Sequence, residues 1–378
     1  MRRLRRHDDE SGAIAVIVAI MMVVLLGMGA LVIDVGSLYA ERRQLQNGAD
    51  SGVLAVAMDC GKGAAACAPA AAMASATRHA NANANDNATT VTQVCGTATG
   101  LTPCSPAAPV GSWDCPAVPT TGPLATAKYV QVRVQTLRNG TSLMPPILAK
   151  VIEPGYTGDT VKACARAAYG PPSQAGALAM TISLCELNNY TGGQTPAPGL
   201  LAAPPPYPPY PAPSMEHVLV LHDTTKTNQG ENTCPAGPSG SDLPGGFGWL
   251  NDPNNNCTVV ISVNNTYQDK TGVGTPTDCK TALSNARNNQ TVVYIPIYNA
   301  ETGTGNNGVY TLAGFAAFVV TGYALPGLVA KSWLPGSTAS CKGTAKCVYG
   351  MFTTGLIPAS GVVGGGTSFG ANVVQLTG

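Results

Sequence analysis

Ala13 to Ile33 is a run of 21 residues without a single charge. A helix over it is about 31 Å long, which matches the hydrocarbon core of a bilayer. The pattern then changes without a break. Apolar residues recur at Leu31, Val35, Leu38, Leu45, Ala49, Val53 and Val56, steps of three, four and seven that fall on one helical face. Glu41, Arg42, Arg43, Gln44, Gln46 and Asn47 fall elsewhere on the helix. Together the two patterns predict one nearly continuous helix over Ala13–Met58, about 70 Å long. Its amphipathic outer half needs a surface to cover the stripe, either its own domain or neighbouring subunits. Asp34 is expected simply to end the apolar span.

Beyond the helix the pattern turns to short strands. Lys128–Leu137 alternates: Val130, Val132 and Val134 face one way, and Gln131, Arg133 and Gln135 the other. This predicts a half-buried strand with a solvated face. Thr160–Tyr169 reads as a second strand or a short helix. Met215–Leu221, Val259–Val263, Thr291–Ile297 and Phe315–Tyr323 are further strand candidates. Residues 60–124 are rich in Ala, Asn, Thr and Pro, and Ala80–Asn87 alternates Ala with Asn. They are expected to form low-complexity loops. Pro204–Pro211 within residues 196–214 predicts a semi-rigid polyproline connector. The expected organisation is a tip (1–12), a membrane helix (13–33), an amphipathic stalk (34–59), a Cys-containing loop region (60–124), a small α+β head (125–195), the Pro-rich linker (196–214) and a β-rich domain (215–378).

Composition narrows the class. Only 11% of the 378 residues are charged and the net charge is +1, so the chain lacks the basic stripe of a nucleic-acid binder. The 44 Gly and 30 Pro favour turns and short strands over long helices. Twelve cysteines are present and none form a Cys-x2-Cys pair, which points to disulfides and an oxidising compartment rather than zinc. Connectivity stays open, since even six cysteines allow fifteen pairings. Arg2, Arg3, Arg5 and Arg6 precede the apolar run, so the N-terminus is expected in the cytoplasm and every cysteine outside. A cleaved signal peptide ending near Gly27 or Gly29 is the alternative; the apolar run is longer than a signal core and its helix continues, which favours an anchor.

Glu10-Ser11-Gly12, the apolar run, Asp34-Val35-Gly36, Tyr39, Arg42-Arg43, Leu45-Gln46 and Ala49-Asp50-Ser51 resemble the Tad N-terminal segment of TadE/TadG-like proteins of Flp (tight-adherence) pilus assembly. The resemblance covers roughly residues 10–58. It implies a single-pass, pilin-like membrane protein that serves pilus biogenesis or envelope assembly, without catalysis. Prepilin-peptidase substrates carry Glu at the fifth position after the cut. Counted from Gly12 that position is Ile17, which implies an unprocessed, TadG-like rather than TadE-like chain.

Candidate chemistry is sparse. The apolar Val218–Leu221 runs through His222 into Asp223-Thr224-Thr225-Lys226-Thr227, similar to the Asp-x-Ser-x-Ser metal motif of von Willebrand A domains. Thr225 and Thr227 stand at both Ser positions and no alternating strand–helix pattern follows, so a polar turn is the expectation. No Gly-x-Ser-x-Gly elbow accompanies the His222/Asp223 pair, and the glycines at 364–366 lack a following Lys. The sequence therefore assigns no catalytic, cofactor or metal residue. It predicts a membrane-anchored α+β protein, a long N-terminal helix followed by a disulfide-stapled, β-rich extracytoplasmic region. The expected partners are the lipid bilayer and, through the stalk, pilus or envelope assembly proteins or further copies of the chain. The alternative is a secreted or surface adhesin or ligand-binding protein, with a divalent-metal site near Asp223.

Overall fold

A computed structural model describes residues 11–62, 66–104, 115, 117–193, 199–221, 234, 248–268, 270, 274–303, 307–341, 343, 345–358, 361–364 and 366–377. In chain order its elements are α1 (Ser11–Lys62), α2 (Pro69–Ala82), β1 (Thr89–Gly96), β2 (Lys128–Thr136), α3 (Ala149–Ile152), β3 (Lys162–Gly170), β4 (Pro172–Leu178), β5 (Ile182–Ser183), α4 (Leu184–Thr191) and β6 (His217–Leu221). There follow β7 (Thr258–Ser262), β8 (Thr266–Gln268), α5 (Thr277–Asn288), β9 (Val292–Thr302), β10 (Val309–Leu325), β11 (Leu328–Ala330), β12 (Lys346–Thr353), β13 (Gly355–Leu356), β14 (Val362–Val363), β15 (Thr367–Phe369) and β16 (Ala371–Leu376). The long helix is one uninterrupted element of 52 residues, about 78 Å end to end. The described chain beyond it is β-rich and carries six disulfides.

Two cores divide the structure. The first lies where the outer half of α1 crosses a five-stranded sheet of order β1-β2-β3-β16-β13. Leu45, Ala49, Val53 and Val56 of the predicted stripe pack with Val130, Val132 and Val134 of β2 and Ala163, Ala165 and Ala167 of β3. The stripe is thus covered by the chain's own sheet over most of its length, while Leu31 and Val35 stay exposed. The second core fills the larger sheet, order β5-β9-β10-β12-β6, with β4, β7, α4 and α5 packed on it. β6, β9, β10 and β12 pair antiparallel, unlike the parallel sheet of a von Willebrand A domain.

Several expectations change. Residues 60–124 are not loop throughout: they hold α2 and β1. Ala72, Ala76 and Ala80 recur every four residues and are fully buried. They meet Gly48 and Gly52 of α1 so closely that a Cβ at either glycine would sit 3.2 Å from a carbonyl oxygen of Ala80 or Ala76. Alanine's high helix propensity and this small-residue seam make a helix of what composition alone suggests is filler. The second face of β2 is only partly solvated, with Arg133 and Gln135 half-buried. Gln131 is buried and accepts a 2.6 Å bond from Arg166 Nη2, and the Arg166 guanidinium lies 4.9 Å over the Tyr129 ring.

The Pro-rich stretch does not hang free, because its described part packs on the large sheet. Ala202 exchanges bonds with Phe352 and Thr353, and Tyr207 and Tyr210 stack around Trp333 at 5.6 and 6.0 Å. Burial pushes the Tyr207 hydroxyl up to about 12, so it stays protonated and donates to Ala203 O at 2.8 Å. Just after it, the Glu216 carboxylate accepts from the hydroxyls of Thr321, Ser332 and Ser337. Strand pairing also crosses this stretch. β16, near the end of the chain, pairs with β3, and β7 pairs with β4, so hydrogen bonding joins residues expected in head and C-terminal domain.

Candidate membrane and assembly interface

The first half of α1 is bare. Residues from Ile14 to Ile33 are exposed on every side with few exceptions, and Gly27 and Gly29 have nothing within 4 Å of a built Cβ. The helix contains a segment long and apolar enough to cross a membrane. A soluble helix with this composition would bury it.

Asp34 closes that segment and is the first residue of α1 to be buried by the rest of the chain. Its Oδ1 accepts from the backbone N–H of Ile147 at 2.7 Å and of Leu148 at 3.1 Å, and its Oδ2 from Leu148 at 3.1 Å and from Ala149. The carboxylate therefore does more than end the apolar span: it grips a loop more than a hundred residues away. Burial by itself pushes its pKa up, but the three backbone donors outweigh this and the net shift is downward. A lowered folded pKa means the contact stabilises above the ordinary aspartate range and is lost as pH falls through the folded value. Asp34→Ala is expected to strip the amides of Ile147, Leu148 and Ala149 of their exchange protection at neutral pH, while those of Val132 and Ala165 keep theirs. In the native chain the same amides lose protection only below the ordinary carboxylate range. Hydrogen exchange read by mass spectrometry checks both, and unchanged protection in Asp34→Ala would show that the carboxylate does not hold the loop.

Beyond Asp34 the polar residues of the helix stitch it to the head. Gln46 Nε2 donates to Asp50 Oδ1 at 2.9 Å and to Cys164 O at 3.3 Å. Gln44 Oε1 accepts from Asn85 N at 3.0 Å, and Ser51 Oγ from Asn83 Nδ2 at 2.8 Å. Asp59 accepts from Ser75 Oγ at 2.9 Å, and Asn372 Nδ2 donates to Gly61 O at 3.0 Å. These bonds tie the helix to four pieces of chain: β3, the turn after α2, α2 itself and β16.

The cysteines pair strictly in sequence order: Cys60–Cys67, Cys95–Cys104, Cys115–Cys164, Cys185–Cys234, Cys257–Cys279 and Cys341–Cys347. Cys115–Cys164 sits at a position of β3 in phase with Arg166, on the sheet face away from α1.

The motif His222, Asp223, Thr225 and Thr227 lies outside the described residues, as does Gly365. His217, at the head of β6, stacks on Tyr190 at 4.6 Å between ring centroids. Among the described residues no three His, Cys, Asp or Glu side chains converge as metal ligands. The sequence reading missed the role of Asp34 entirely; an isolated carboxylate at the end of an apolar run carries no sign of a partner so distant. It also missed the α1–α2 seam, for which the four-residue recurrence of Ala72, Ala76 and Ala80 against Gly48 and Gly52 was a usable signal.

The bare span, the buried exit carboxylate and the polar spine are three parts of one segment. Residues 12–59 match the Tad family. Its description is Flp pilus-assembly TadE/G-like, and the match takes in the apolar span, Asp34 and nearly all of the docked stalk. The Tad match supports a role related to Flp pilus assembly. The remaining seven-eighths of the chain lies outside the match, and no curated protein and no solved structure matches the chain.

Proposed function

We propose that the chain is a structural, non-enzymatic component of an Flp-type pilus or related envelope apparatus. It is anchored by a single uncleaved N-terminal span, with its arginine-rich tip in the cytoplasm and everything from Asp34 onward outside. The observation that carries this reading is the single Tad-matching helix, bare over its first half and built into the head over its second. Cleavage near Gly29 would cut that helix within its apolar stretch, a few residues before the Asp34 contact. The six disulfides support an oxidising compartment for the head. The outer half of the helix packs on the five-stranded sheet, so motion or force on the helix passes first to that sheet.

Mass spectrometry of the mature protein tests the anchor. The expected result is a membrane-bound chain that yields the arginine-containing N-terminal peptide and, when isolated intact from membranes, brings pilus-assembly proteins with it. A soluble chain starting near Ala30 would overturn it in favour of a released adhesin.

A further inference from the structure

The loop gripped by Asp34 has an apolar surface that the described residues leave uncovered in part. Leu143, Ile147 and Val151 are 37%, 59% and 82% exposed. Val151 is as exposed as any large apolar residue of the bare helix, and three such residues within nine positions form a patch rather than the scatter normal on a surface. From this we infer that the Leu143–Val151 loop is a second membrane contact, lying in the outer leaflet beside the span with Ile147 and Val151 among the lipid chains. The inference rests on the reading that Ala13–Ile33 crosses the membrane.

Placement is the first argument. The apolar run stops at Ile33, and the next residue holds the loop by its backbone. The loop backbone at residues 147–149 therefore lies within hydrogen-bond distance of the residue that ends the span. The second argument is the loop's backbone. An unpaired N–H in the interface of a bilayer is costly. Here Pro145 and Pro146 have none to offer, Asp34 takes those of Ile147, Leu148 and Ala149, Met144 N bonds Asp159 O at 2.8 Å, and Val151 N bonds Leu148 O at 2.9 Å. Five of the loop's seven N–H donors are thus satisfied before any lipid arrives, which a loop facing only water would not require. The flanks agree with this depth. Lys150 is exposed between Ile147 and Val151, placed to reach lipid phosphate while its stem lies along the apolar chains. Tyr39 is 64% exposed about 7.5 Å further out along the helix, at the level of the headgroups. The Asp34 contact thus sets the height and tilt of the head on the membrane, with two attachments in place of one.

The test uses the intact chain with one added cysteine, since no described cysteine is free. Val151→Cys, Ile20→Cys and Val329→Cys are each labelled with an environment-sensitive fluorophore and reconstituted into vesicles of phosphatidylcholine and phosphatidylglycerol. All three sites are exposed, so the substitutions leave the fold intact. Lipids carrying a nitroxide near the headgroup or near the chain end serve as quenchers. The label at 151 is expected to be quenched several-fold more by the shallow nitroxide than the label at 329, and the label at 20 most strongly by the deep one. Quenching at 20 without quenching at 151 overturns the inference and leaves the span standing. No quenching at 20 overturns the span, and the inference with it. A blue shift at 151 that depends on protein concentration and not on lipid would assign the patch to a second copy instead, and also overturns it. Adding Asp34→Ala should lower quenching at 151; equal quenching would show that the carboxylate does not set the depth.

Discussion

Replacing Cys115 and Cys164 together by alanine lowers the stability of the folded head by about 4 kcal/mol, the loop-closure value for a crosslink of this span. The bond joins residues 49 apart in sequence. Cys164 is the third residue of β3, a strand that pairs with β2 on one side and β16 on the other in the sheet of the first core. The same replacement at Cys60 and Cys67, only 7 apart, costs about 2.5 kcal/mol. Chain entropy is the reason for the difference: closing the longer loop removes more freedom from the unfolded chain. Urea denaturation of the full chain in detergent micelles, followed by circular dichroism, measures both. If the short bridge costs as much as the long one, loop closure is not how these bonds stabilise the protein. Because pairing follows sequence order, no bridge must thread another, and oxidation can proceed from the N-terminal side.

Val53→Asp abolishes the folded head, whereas Val35→Asp leaves it folded. Both valines belong to the same helical stripe and look alike in sequence. Val53 is fully buried in the core shared with Val132 and Ala165. Aspartate there loses the valine's burial and sets an unpaired charge in an apolar interior, a cost of about 4 kcal/mol or more. Val35 is exposed one residue past Asp34, and a surface change of this kind stays within about 0.5 kcal/mol. Export level and protease resistance of the two variants give the comparison. A folded Val53→Asp head would mean that the stalk does not use its own sheet as its cover, and that assembly partners fill that role.

How much of this was legible beforehand depends on the range of each feature along the chain. The long helix is local, so its 3.6-residue period and its uncharged 21-residue run announced it. Of the described strands, β2, β6, β7, β9 and β10 were visible in their apolar runs and alternation, and β3 was open between strand and helix, while β1, β4, β12 and β16 were not expected. An even number of cysteines without zinc spacing pointed to disulfides. The Tad resemblance came from motifs along one continuous stretch, and Gly48, Leu45 and Ala49 now have a reason to be small or apolar: they touch α2 and the sheet.

The rest depends on residues that are distant in the chain. Asp34 meets Ile147 through backbone amides, which every residue but proline possesses and which leave no mark in the sequence. The tail strand β16 closes the sheet beside β3, some two hundred positions earlier. Gln131 looks like a residue for water until Arg166 from the next strand reaches it. The sequence alone determined that a charge-free helix continues into an amphipathic stalk, and that an oxidised β-rich head follows. Only the tertiary structure decided that the stalk is the head's own spine, and that the end of the apolar run is tied to that head. The reason is physical: helix period and hydrophobic run length are properties of neighbours, whereas a hydrogen bond between remote segments exists only once the intervening chain has folded to bring them together.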